Sequence, residues 1–247
     1  MTVHIGLLGD KGRMGQIITR LLNEKKYPEA TLSAAADYGD SLEPLLAVDT
    51  MIDFSSSTAM ASLAEIAIKR GRPLPVFLVG STGWNEKQKN TLDTLAELTP
   101  VLVSSNFSTG AELLTRILKE NASLFLKLGY TPVITETHHQ HKKDTPSGTA
   151  KTLSSAISPS TPEVVQTHSI RAGEVIGDHV VSFYSANDKV FIGHCVQERS
   201  IFAHGALKAA IWLAQKHRAE PGLRGMISFS DYFEYLQKGC CYPNERK

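Results

Sequence analysis

The sequence predicts an α/β protein: a doubly wound parallel sheet with helices on both faces, joined to an α+β portion with a mixed or antiparallel sheet. Two observations carry this. Short apolar runs alternate with amphipathic stretches through the first half, the pattern of βαβ units. After Tyr130 that alternation gives way to successive β-like runs. The 247 residues, 42% hydrophobic and 21% charged, suffice for one large or two modest domains.

In chain order, "VHIGLLG" (Val3 to Gly9) reads as a strand and "MGQIITRLL" (Met14 to Leu22) as a helix. "TLSAAAD" is a second strand ending in Asp37, and "TMIDFS" (Thr50 to Ser55) a third, followed by a helix through "MASLAEIAIKRG". "LPVFLVG" (Leu74 to Gly80) is a fourth strand, followed by a helix over "NEKQKNTLDTLAEL". "PVLVSS" (Pro100 to Ser105) is a fifth, followed by a helix over "GAELLTRILKENASLF". Runs as apolar as "PVFLV" suit strands buried on both faces. "PVITETHH" is a strand, and Pro146 and Ser147 mark the start of a helix to Ile157. "VVQTHSIRA", "DHVVSFYS" and "KVFIGHCVQE" are strands expected to pair antiparallel, the last two joined by a hairpin at "SAND". A last helix covers "AHGALKAAIWLAQKH". There is no internal repeat, and "SPSTP" (Ser158 to Pro162) is the only linker-like cluster.

A net charge of +1 gives no argument for nucleic acid or membrane as a partner. No apolar run approaches the ~20 residues of a membrane span. The N-terminal "MTVHIGLLGD" lacks a basic region and reads as a buried strand rather than a signal peptide. Cys195, Cys240 and Cys241 make no disulfide framework, so a reducing cytoplasm is expected and the adjacent pair reads as incidental.

"GDKGRMG" spaces Gly9, Gly12 and Gly15 at three-residue intervals between the first strand and the first helix. A dinucleotide needs a tight turn there and backbone N–H groups close to its pyrophosphate. Asp37 ends the second strand where an acid would accept from a ribose 2′-hydroxyl. This is a Rossmann-like pattern, against the alternative of an ordinary turn. A carboxylate repels a 2′-phosphate, and the next residue is Tyr38 rather than arginine, so both NADH and NADPH are expected as cofactors with NADH preferred. Lys11 and Arg13 could reach a 2′-phosphate, and they read equally as a solvated loop tip. "GSTG" (Gly80 to Gly83) and "SSNFS" (Ser104 to Ser108) also end strands, where ligands sit in open α/β sheets. Each fits a nicotinamide ribose or a simple helix cap.

"THHQHKKDTPSGTA" (Thr137 to Ala150) concentrates titratable chemistry in one loop. A metal site through His138, His139 and His141 is disfavoured, because neighbours on a strand point to opposite faces and the zinc spacings are missing. No metal is expected. A solvated loop is the bland alternative. An anion site is favoured by Ser147, Gly148 and Thr149, which open a helix at its positive end behind lysine and histidine donors. Asp144 is expected to orient a lysine or cap the helix.

"ETHHQHKKDTPSGTA" closely resembles the signature E-[AT]-H-H-x-x-K-x-D-x-P-S-G-T-A of the 4-hydroxy-tetrahydrodipicolinate reductases, also called dihydrodipicolinate reductases. "GDKGRMG" is similar to that family's G-x-x-G-R-M-G, and "IDFSS", "GSTGW", "SNFSTG" and "IFAHGALKAAIWLA" fall in its order. The resemblance covers nearly the whole chain. It implies NAD(P)H-dependent reduction of a small dicarboxylate, 4-hydroxy-tetrahydrodipicolinate, to tetrahydrodipicolinate in lysine and diaminopimelate biosynthesis. It implies that His138 donates or accepts a proton, that Lys142 donates one, and that His139, Gly148 and Thr149 bind substrate carboxylates. The cofactor site would comprise Gly9, Asp10, Lys11, Gly12, Arg13, Met14, Asp37, Gly80, Ser81, Thr82, Ser104, Ser105, Asn106 and Phe107. Residues 1–107, completed by 200–247, would form the dinucleotide domain. Residues 108–199 would form the substrate and oligomerisation domain of a homotetramer. Glu136 would orient His138 or Lys142.

Overall fold

The computed structural model describes residues 1–161 and 163–238. The chain divides into two units, 1–107 together with 202–247, and 108–201. Cys240 and Cys241 lie outside the described residues.

The first unit is built on six parallel strands, β1 (Val3–Leu8), β2 (Ala30–Ala36), β3 (Thr50–Asp53), β4 (Val76–Val79), β5 (Pro100–Val103) and β10 (Gly225–Ser228). Their order is β10-β5-β4-β3-β1-β2. The period of two sends alternate side chains into two cores. Ile52, Leu78 and Leu102 pack with α1 (Arg13–Asn23), α6 (Ser200–Ala219) and α7 (Phe229–Gln237). Met51, Phe77 and Val101 pack with α2 (Ser57–Arg70) and α3 (Glu86–Ala96). Both faces are therefore covered, which is why these strands read as continuous apolar runs. Each such fully buried side chain contributes about 1.5–3 kcal/mol relative to exposure.

β10 and α7 are absent from the sequence reading. β10 has only four residues, too few for a period to emerge. α7 did carry a signal: Ser228 and Asp231 form a capping box, the hydroxyl accepting from the Asp231 N–H and the carboxylate from the Ser228 N–H.

The second unit has α4 (Thr109–Lys127), α5 (Gly148–Ile157) and four strands, β6 (Thr131–His138), β7 (Gln166–Arg171), β8 (Asp178–Tyr184) and β9 (Lys189–Cys195), in the order β7-β6-β8-β9. β8 pairs antiparallel with β6 and β9, and the Ser185 N–H closes the expected hairpin on the Asp188 carbonyl at 3.0 Å. The expected antiparallel pairing fails for β7, which runs parallel to β6. The reason is the connection: α5 lies between them and carries the chain back, as a parallel crossover requires. Ile134, Val181 and Phe183 are fully buried with Leu114, Leu118 and Leu153. Among the described residues no helix is long and apolar enough to cross a membrane.

Candidate active site

Strand register builds the core of the signature loop. Alternation on β6 places Ile134, Glu136 and His138 on the helix-covered face. Ile134 lies between Thr167 and Val181, and the next row out is polar: Ser169, Glu136, His179 and His194 are direct neighbours across all four strands. His138 pairs with Arg171 beyond them. A hydrophobic layer thus ends in a line of buried polar groups.

Glu136 is fully buried. One carboxylate oxygen accepts from His138 Nδ1. The other accepts from Arg171 Nη2 at 3.0 Å and from the Ser147 N–H at 3.4 Å. Burial works against ionisation, but the hydrogen bonds from Arg171 and His138 outweigh it and bring the pKa down to about 2. An ionised Glu136 accepts only, so Nδ1 of His138 carries the hydrogen and Nε2 is left for proton exchange. Burial, Lys142 and Arg171 hold the His138 pKa below its usual value despite Glu136. The imidazole is therefore neutral near pH 7.

His179, unremarked in the sequence, stacks edge-on to His138 with ring centroids 5.1 Å apart. Its Nε2 meets the Ser147 hydroxyl at 3.1 Å. Burial, reinforced by His138, lowers its pKa to about 4. Ser147 also caps α5 by accepting from the Ala150 N–H at 3.2 Å. Gly148 and Thr149 then occupy the first turn, at the positive end of the helix. A Cβ on Gly148 would meet nothing within 4 Å, so the protein's own packing does not demand glycine there. Lys142 Nζ pairs with Asp144 at 2.8 Å, one of the two roles expected for that acid. The ring centroids of His139 and His141 lie 6.3 Å apart.

Among the described residues one group has converging metal-ligand atoms: Glu136, His138 and His179. It omits His139 and His141. Its Glu136 carboxylate already faces the Arg171 guanidinium, a poor neighbour for a divalent cation.

These shifts predict a fold that loses stability in acid. A histidine of lowered pKa leaves the unfolded chain binding more protons, so the stability held by His179 disappears as pH falls from 6.5 towards about 4. Glu136 is depressed, so its contribution is present above 4.5 and disappears as pH falls towards about 2. We expect the thermal midpoint to fall continuously from pH 6.5 to 3, and His179→Gln to flatten the limb above pH 4. An unchanged limb in that variant would exclude His179 as its source.

The glycine loop lies at the carboxyl end of β1, where the chain crosses from β2 back to β3. Gly9 has φ +88°, and its N–H holds the Ala36 carbonyl at 2.8 Å. A Cβ on Gly15 would stand 2.1 Å from the Gly9 oxygen. α2, α3, α4, α5 and α7 start under a side-chain cap, whereas α1 starts at Gly12 with none. The cradle fits a pyrophosphate. Asp37 accepts from the N–H groups of Tyr38 (2.7 Å) and Lys11 (3.1 Å), which hold its carboxyl below the usual range. Lys11 Nζ sits 3.6 Å from Asp40, and Tyr38 is exposed.

Gly80 and Ser81 are placed by Asp53, a buried carboxylate at the end of β3. It accepts from the hydroxyls of Ser55 and Ser81. Thr82 and Ser105 are exposed. The Ser104 hydroxyl donates to the Asn106 carbonyl at 2.7 Å. The Phe107 ring is core, 5.8 Å from Phe54 and 5.2 Å from Phe229 between centroids, so its backbone is what remains for a ligand. Asp10, Arg13 and Met14 complete the loop and the start of α1.

Residues 3–107 match the family model described as dihydrodipicolinate reductase, N-terminus, and residues 110–229 match dihydrodipicolinate reductase, C-terminus. The chain is 34% identical over 245 residues to the 4-hydroxy-tetrahydrodipicolinate reductase of Zymomonas mobilis subsp. mobilis, covering 87% of this chain and 93% of that protein. It is 33% identical to the same enzyme from Campylobacter jejuni subsp. jejuni, covering 87% and 94%. In fold it is similar to a dipicolinate-bound dihydrodipicolinate reductase from Paenisporosarcina sp. TG-14, at 19% identity and a TM-score of 0.75, covering 92% of this chain and 98% of that one.

Proposed function

The chain belongs to the dihydrodipicolinate reductase family, and we propose that His138 and Lys142 handle the protons of its reaction. That reaction is the NAD(P)H-dependent reduction of 4-hydroxy-tetrahydrodipicolinate to tetrahydrodipicolinate, with loss of water, in lysine and diaminopimelate biosynthesis. Loss of the 4-hydroxyl as water makes the ring conjugated, and NAD(P)H, when bound, would supply the hydride that its carbon 4 then accepts. Negative charge then builds in a conjugated ring and must be neutralised. Lys142, a cation beside the loop, stabilises that charge and donates a proton. His138 exchanges a proton at Nε2. The observation that carries this reading is the buried, ionised Glu136, which fixes Nδ1–H of His138. His139 and the first turn of α5, at Gly148 and Thr149, hold the substrate carboxylates.

In the cofactor site, Gly9, Asp10, Lys11, Gly12, Arg13 and Met14 surround the pyrophosphate at the start of α1. Asp37 receives a ribose hydroxyl. Gly80, Ser81, Thr82, Ser104, Ser105, Asn106 and Phe107 line the nicotinamide end. NADH is preferred, because the ionised Asp37 repels a 2′-phosphate. The assay generates substrate from pyruvate and aspartate semialdehyde with its synthase and follows reduced-nicotinamide absorbance. Oxidation should depend on the synthase and run faster with NADH. Asp37→Ser should shift the NADPH to NADH ratio of kcat/KM upward by about tenfold. An unmoved ratio would sink the role of Asp37, and no synthase-dependent oxidation with either cofactor would sink the reaction on which the roles of His138 and Lys142 rest.

The second unit also serves oligomerisation, as a homotetramer. The sheet face away from α4 and α5 leaves Ile170, Tyr184 and Phe191 exposed, and a shared sheet face would cover them. The cytoplasm is the proposed compartment, in keeping with the free thiol of Cys195.

A further inference from the structure

We propose that Arg171 is a positioning residue that couples the loop carrying Lys142 to the protonation of His138. The proposal rests on the reading that those two residues handle the reaction's protons. Arg171 is a register neighbour of His138 on the adjacent strand. Its guanidinium is anchored on its own strand by Nη1, which donates to the Ile170 carbonyl at 2.8 Å. Nε donates to the Lys142 carbonyl at 3.3 Å. Nη2 faces the Asp144 carbonyl at 2.7 Å, the Thr145 hydroxyl at 3.1 Å and Glu136 at 3.0 Å. One rigid fork thus holds three points around the loop, at Lys142, Asp144 and Thr145, and one oxygen of the carboxylate whose other oxygen holds His138.

The consequence is mechanical and electrostatic. The guanidinium is bonded at once to the Lys142 carbonyl and to Glu136, so the placement of the loop sets the placement of the guanidinium, and that sets how much of the Glu136 charge His138 feels. Glu136 lies on His138's own strand, Arg171 on β7, His179 on β8, and Lys142 on the loop. Glu136 favours protonation of His138, while burial, Lys142 and Arg171 oppose it. His179, with its pKa near 4, stays neutral from pH 5 to 8. Without Arg171, His138 should therefore titrate at higher pH. A lysine keeps the charge but cannot reproduce the fork.

The test compares full-length Arg171→Met, Arg171→Lys and Lys142→Ala. Substrate and NADH kinetics are measured against pH, the His138 imidazole is titrated by NMR, and folding is checked by circular dichroism. Arg171→Met should lower kcat/KM for substrate roughly ten- to a hundredfold. It should leave the NADH KM within about twofold and raise the His138 midpoint. Arg171→Lys should restore the midpoint but not the substrate KM, and it carries the test should the Met variant not fold. Wild-type substrate kinetics and an unmoved midpoint in Arg171→Met would overturn the proposal, as would full rescue of substrate KM by lysine. Full turnover in Lys142→Ala would instead sink the catalytic reading, and the His138 midpoint would still decide the coupling.

Discussion

Lys142→Ala is expected to lower kcat by about 10²–10⁴-fold while NADH still binds. The size follows from removing a general acid and a cation at once, where charge develops only on the way to the transition state. Fold should be spared. The Lys142–Asp144 pair is partly exposed, with 22% and 52% of the two side chains accessible, and such a pair is worth about 0–1 kcal/mol. The turn it belongs to is closed by backbone, the Lys142 N–H donating to the His139 carbonyl at 3.1 Å, and alanine keeps that bond. Loss of turnover with an unaltered melting curve thus reports chemistry. Lys142→Arg sharpens the test: guanidinium keeps the charge but does not give up a proton near neutral pH, so substrate KM should recover and kcat should not. An unchanged kcat in the alanine variant would remove Lys142 from the mechanism.

What the sequence made legible divides along a physical line. Local signals survived: the glycine spacing before α1, the strand periods, and the Ser147 cap that opens α5. These depend on residues within a few positions of one another. Glu136 could be expected beside His138 because a period of two puts both on one face. Arg171 and His179 could not be expected, since they lie 35 and 41 positions from Glu136 and His138. Their presence depends on which strand pairs with β6, and in which register. The parallel placement of β7 was readable in principle, because strand, helix and strand in succession is the grammar of a crossover. Expecting antiparallel pairing for every strand after that helix hid it, and Arg171 with it. Asp53 shows the same limit. "IDFSS" reveals an acid at a strand end, but its bond to Ser81 needs β3 and β4 side by side.

Gly15→Ala is expected to abolish most of the affinity for NADH and to destabilise the first unit. A Cβ there would stand 2.1 Å from the Gly9 oxygen, 2.6 Å from Asp10 Cα and 2.8 Å from the Asp10 carbonyl carbon. All three are backbone atoms, so no rotamer change relieves the clash. The loop cannot simply swing away either. Gly9 is tied to β2 through Ala36, and it packs closely on the backbone of Phe54 and Ser55. Helix α1 must therefore shift from the loop, at a cost of about 1–3 kcal/mol for overpacking of this kind. The same shift moves the N–H groups that face the pyrophosphate. Gly12→Ala is the graded comparison, since its Cβ would lie 3.2 Å from the same oxygen, a tight contact that needs a shift of only a few tenths of an ångström. Thermal melts with and without NADH separate the two effects. Ligand that binds only the folded state raises the midpoint as its concentration exceeds Kd. The Gly15 variant should start lower and gain almost nothing from NADH, while the Gly12 variant should start near wild type and keep part of the gain. If the Gly15 variant melted early yet kept the full NADH-dependent rise, the loop would be a packing element alone, and the pyrophosphate would have to be held elsewhere.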